Sequence, residues 1–174
     1  CLVGSEMCIR DRYRHDAAYA REHDELPLYR ESYQANIACK EAIEKAIADN
    51  YGNNRLNSQA VMETLSAEFS MERIQYVLAN TVQYKDWDGR ISRANREWAQ
   101  TVPVVPNPDS WGGDRNCYFV VDQAHTGLVD LFVTHFRKEL EKAPMEKKPS
   151  VLERLQKPLP DTAPKPDRAK AQEL

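Results

Sequence analysis

The chain has 174 residues, 41% of them hydrophobic, and a formal net charge of −3, which is room for one domain with a real core plus an appendage. No apolar run approaches the eighteen or so residues that a membrane helix needs, and no signal peptide is read at the start, so a membrane protein is not expected. The charge is uneven: residues 13–143 carry 15 basic against 20 acidic side chains and 144–174 carry 7 against 5, and an acidic body argues against a dedicated nucleic-acid binder.

Residues 1–12, Cys1 to Arg12, resemble one reading frame of the adapter DNA attached to fragments in sequencing libraries. They are therefore expected to be foreign letters, with the gene's own sequence beginning near Tyr13. Setting Cys1 and Cys8 aside leaves Cys39 and Cys117, two distant thiols that read as reduced, small buried side chains of a cytoplasmic protein.

Residues 13–23 predict a short helix. Asp24 then offers an N-cap and Pro27 suits a first turn, where its missing N–H costs little. A long helix is expected to about Asn50, with Leu26, Tyr29, Tyr33, Ile37, Ile43 and Ile47 in one apolar arc. Ala35, Ala38, Ala42 and Ala46 make a band of small residues beside that arc, while Asn36 and Lys40 project into it. A snorkelling lysine and a locally bonded asparagine account for those two, and a buried polar network or pocket lining is the alternative.

Residues 51–55 read as a turn with Gly52 in a left-handed cap. Asn57 or Ser58 caps a helix carrying Val61, Met62, Leu65 and Phe69, and Ser70 opens the next, with Met71, Ile74, Val77, Leu78 and Val82 inward. Ser92 caps a further helix to about Gln100. The β-branched residues 102–105 and the apolar residues 117–121 are expected to pair as a small sheet, Pro103 confining the first to an edge. Residues 106–116 form the loop between them. Thr126 caps a last helix with Leu128, Leu131, Phe132, His135, Phe136 and Leu140 on one face. Beyond it, 144–174 is rich in Pro, Lys and Glu and is expected to be a disordered tail, within which Val151, Leu152 and Leu155 suit a short docking helix.

Chemistry concentrates at 85–90, Lys-Asp-Trp-Asp-Gly-Arg. Counted as a calcium loop from Asp86, the stretch has Asp88 and Glu97 in register. It has Arg90 and Ile91, however, where a ligand and a glycine are required, so no metal site is expected. A turn in which Asp86 and Asp88 cap backbone N–H groups and pair with Lys85 and Arg90 fits better. Arg90, Arg93 and Arg96 recur every third residue beside Trp87 and Trp98. Guanidinium groups among indoles suit an acidic protein partner, a phosphate backbone or stacked bases, and equally a solvated charged face. A possible polar cluster comprises Asn36, Lys40, Asn80, Asp86 and Asp88. His15, His23, His125 and His135 lack metal-ligand spacing, no nucleophile elbow or Gly-rich loop is present, and no catalytic residue or cofactor is expected. His125, near Asp122, is a general-base candidate or a satisfied junction histidine.

Several blocks point to a family: Tyr-Arg-Glu-Ser at 29–32, the run at 35–44, Val-Leu-Ala-Asn-Thr-Val at 77–82, residues 85–92, Trp98 with Ala99, and 118–121 before a helix. Together they resemble the bacterial family called domain of unknown function 3849, over roughly residues 17–140. The resemblance implies no activity. It implies a cytoplasmic accessory protein of mobile genetic elements, a setting that favours protein or nucleic-acid interaction over metabolism.

The expected fold is α+β, mostly helical with four to five helices and a two-stranded element before the last one, in a single domain over 13–143. The expected role is a non-enzymatic interaction module that binds an unknown protein partner through Trp87, Arg90, Arg93 and Arg96. A weak nucleic-acid binder using the same arginines comes second and an enzyme third. The oligomeric state is not legible.

Overall fold

The computed structural model describes residues 12–105, 117–122 and 125–142. Along them run α1 (Ala17–Glu22), α2 (Leu26–Asp49), β1 (Tyr51–Gly52), β2 (Arg55–Leu56), α3 (Ser58–Glu68), α4 (Met71–Tyr84), α5 (Arg93–Thr101), a 3-10 turn at Cys117–Phe119 and α6 (Thr126–Lys142). The architecture is α+β and mostly helical, with a two-stranded antiparallel element ahead of the last helix. All but Arg12 of the expected foreign letters 1–12, the 106–116 loop and the 144–174 tail, including its docking helix, lie outside the described residues. No helix among the described residues is long and apolar enough to cross a membrane.

Helix α4 is the axle. From Arg73 to Gln83 every residue but Gln75 is buried, and Ile74, Val77, Leu78, Asn80, Thr81 and Val82 are buried completely. A surface helix shows one apolar stripe, so burial on every side requires neighbours all round. They are α2, α5 and the 117–119 turn, with α3 and α6 closing the far side of the core through Leu65, Phe132 and Phe136. Ser70 starts α4 by accepting from the Arg73 N–H, as Asn57 starts α3 by accepting from Ala60. Each cap satisfies a backbone donor that the helix itself leaves unpaired.

Several local expectations are corrected. The strand pair at 102–105 and 117–121 does not form. Residues 102–105 are irregular, and 117–119 is a 3-10 turn. The apolar residues there act as plugs instead: Phe119 and Val121 enter the core, and the Val121 N–H donates to Thr81 Oγ1 on α4 at 3.0 Å, not to a neighbouring strand. The two-stranded element is the hairpin Tyr51↔Leu56 and Gly52↔Arg55. Its two-residue turn uses left-handed backbone at Asn53 and Asn54, with φ of 51° and 56°, so these asparagines and not Gly52 take the left-handed role.

Asp24 is left-handed too, at φ 57°, in the bend between α1 and α2. Glu25 holds the N-cap position, without a side-chain bond, and Pro27 does fall in the first turn. Cys39 is buried but Cys117 is exposed, as are Ala38 and Leu131. The buried face of α2 is turned from the expected arc, running through Ser32, Asn36, Cys39, Ile43, Ala46 and Ile47.

Candidate functional site

The turn between α4 and α5 is built from one buried carboxylate outward. Asp88 Oδ1 accepts from the Arg90 N–H at 3.0 Å and from Arg90 Nε at 3.0 Å, while Oδ2 takes Arg90 Nη2 at 2.9 Å. Arg90, its backbone N–H and the Thr126 hydroxyl at the start of α6 hold the Asp88 carboxyl well below the usual carboxylate range. The backbone closes the same turn through Asp88 N to Lys85 O and Ile91 N to Asp88 O.

From α5, Arg96 Nη2 donates to the Asp88 carbonyl at 2.8 Å, and its Nε lies 3.8 Å from Asp86. Helix α6 braces the turn from below. Asp130 Oδ1 accepts from the Ser92 N–H at 2.9 Å, and the fully buried Asn95 donates to the Asp130 carbonyl, to its carboxylate and to Thr134. Arg137 Nη1 in turn donates to Asn95 Oδ1.

On this pedestal Trp87 is 79% exposed. An indole costs solvation free energy when left in water, and here the turn that carries it is held by Asp88, Arg90, Arg96, Ser92 and Asp130. The arginines are less available than their spacing suggests. Arg90 is clasped by Asp88 though its side chain stays 59% exposed, Arg96 serves the turn, and Arg93, 91% exposed, pairs with Glu97 at 2.7 Å. Lys85 does not join the acidic turn either. Its ammonium reaches Asp122 at 3.7 Å, and the Asp122 N–H donates to Glu44 Oε1.

The polar cluster resolves into separate partnerships. Asp86 and Asp88 belong to the Trp87 turn. Lys40 pairs with Glu44 at 3.0 Å on α2, Asn36 accepts from the buried Arg73 at 2.6 Å, and Asn80 is buried within α4. His125 is exposed ahead of α6.

A second feature escaped the sequence: a shallow cleft lined by Tyr13, Tyr29, Tyr33, Tyr76, Phe119 and Asn36 among others. Tyr29 and Tyr33 sit one turn apart on α2, a spacing visible in the sequence. Tyr13, Tyr76 and Phe119 reach them only through tertiary packing.

These features define a helical α+β domain that offers a braced tryptophan and an aromatic cleft, and among the described residues no group of His, Cys, Asp and Glu arranged to hold a metal. The model of the family described as protein of unknown function (DUF3849) matches residues 12–141, and the chain belongs to that family. Neither a curated protein nor a solved structure matches it.

Proposed function

We propose that the domain is a non-enzymatic interaction module whose partner is a protein that takes the Trp87 indole into an apolar pocket. The observation that carries this is the exposed indole on a turn whose backbone is already fixed, because a pre-ordered aromatic anchor loses little entropy on binding and such residues dominate interface energetics. Asp86 and Arg90, exposed in the same turn and of opposite sign, suit a protein surface better than a polyanion. A nucleic-acid reading of the same face is weaker, since Arg90, Arg93 and Arg96 each face a carboxylate that would repel phosphate. The setting expected of the family, mobile bacterial DNA, belongs to the same proposal.

The test is capture from the native host with the intact chain and with Trp87→Ala, followed by reconstitution with the purified partner. The intact chain should retain the partner, and Trp87→Ala should lose it at least tenfold with an unchanged thermal midpoint. Equal retention by both, or binding to DNA at low salt that falls steeply as salt rises, would refute the reading.

A further inference from the structure

The turn that carries Trp87 also carries a guanidinium with one edge unused. Arg90 commits Nε and Nη2 to the two oxygens of Asp88, at 3.0 and 2.9 Å, while its Nη1 makes no hydrogen bond among the described residues and the side chain stays 59% exposed. A side-on pair of this kind fixes the plane of the guanidinium and directs the opposite edge, a fork of N–H donors, away from the carboxylate. Asp88 is 6% exposed and is held by the Arg90 N–H as well, so the fork is oriented before anything binds. The Trp87 indole is a second free donor, since its N–H has no partner among the described residues.

Between the two stands Gly89, exposed and outside the left-handed region of the backbone, where a Cβ would meet nothing within 4 Å. Neither strain nor packing inside the domain therefore calls for glycine here. A missing side chain on the outside of a turn lets another backbone come close. Charge decides what the fork meets. Asp88 already balances Arg90, and Asp86, with its side chain 58% exposed, adds a carboxylate to the same turn. An incoming carboxylate would be repelled by both, whereas an uncharged acceptor would not.

We infer that Trp87, Gly89 and Arg90 form a docking strip for the main chain of the partner protein: a partner segment passes over Gly89, its backbone carbonyl oxygens accept from the outer edge of Arg90, and the pocket beside that segment takes the indole. The inference rests on the reading of Trp87 as an anchor, and adds to it the chemistry next to the anchor's pocket, carbonyl oxygens and not acidic side chains.

The experiment is isothermal titration of the purified partner, the one captured through Trp87, into the full chain and its variants. Gly89→Ala should leave the thermal midpoint unchanged or slightly higher, since alanine restricts the unfolded chain. It should nevertheless weaken binding about tenfold, the scale of forcing a methyl group into a packed contact. Arg90→Lys keeps a positive charge for Asp88 but replaces the fork with a single ammonium, and should also weaken binding about tenfold. The affinity of the intact chain should change by less than about threefold between low and high salt, because the acceptor is uncharged. Either variant binding like the intact chain overturns the inference, and so does an affinity that falls steeply with salt, which would mark a carboxylate on Arg90. Trp87→Ala tells the two readings apart: if it binds like the intact chain the anchor itself is wrong, and if it alone loses the partner the anchor stands and the strip does not. Should Arg90→Lys lower the thermal midpoint, the Gly89→Ala chain, whose clasp is untouched, decides the question.

Discussion

Asn95→Ala should lower the stability of the domain by about 2–3 kcal/mol, although the residue is polar and lies on a short helix that exposes most of its side chains. Asn95 is fully buried, donates to the Asp130 carbonyl at 3.0 Å, to the Asp130 carboxylate at 2.7 Å and to Thr134 at 3.0 Å, and accepts from Arg137 at 2.9 Å. A typical hydrogen bond contributes about 1 kcal/mol net, and stranding its partners adds to the cost. Here Asp130, Thr134 and Arg137 are half-buried and recover some water, which holds the total near 2–3 kcal/mol. For a domain of this size that is a fall of roughly 8–10 °C in thermal midpoint. Urea unfolding followed by far-ultraviolet circular dichroism measures it directly, with an unchanged slope showing that the unfolded state is not what moved. Asn95→Asp separates bonding from packing. It keeps the shape and the acceptor for Arg137 but sets a carboxylate against Asp130, so near neutral pH it should be at least as damaging as alanine. An Asn95→Asp chain as stable as the parent, or an Asn95→Ala change below about 0.5 kcal/mol, would show that α5 is held by its apolar contacts alone.

Three further outcomes follow from the same structure. Because Arg90 and its neighbours depress the Asp88 carboxyl below its unfolded value, the stability it contributes is fully present above about pH 4 and is lost as pH falls toward the folded value. Thermal midpoints should therefore drop through that acid window, and the Asp88→Asn chain, already less stable at neutral pH, should drop less steeply; parallel curves would count against it. Gln83 Nε2 donates to the Ala99 and Val102 carbonyls at 2.6 and 3.1 Å, where α5 runs out of its own donors, so Gln83→Leu should cost about 1–3 kcal/mol in urea unfolding. Asn54→Ala forces a side chain without a local bonding group into left-handed backbone and should cost about 1 kcal/mol, whereas Asn54→Gly should cost less; the reverse order in thermal unfolding would exclude the hairpin geometry.

What could be read from the residues follows the range of the forces involved. The periodicity of 71–84 gave α4, and Ser70 and Asn57 gave their caps, because a cap and a helix face are decided within four residues. Residues 117–121 misled for the opposite reason: a short apolar β-branched run states that it will be buried, not how. Thr81 on α4 supplies an acceptor that replaces the missing strand, and nothing near 121 in the chain announces it. The Arg90, Arg93 and Arg96 row was legible as charge, and Trp87 as an aromatic beside it. The Asp88–Arg90 pairing was legible as well, being set two residues apart, but not the Thr126 hydroxyl that reaches Asp88 from α6, nor the burial of that carboxylate. The Tyr29–Tyr33 pair was visible, but not the arrival of Tyr13, Tyr76 and Phe119 around it.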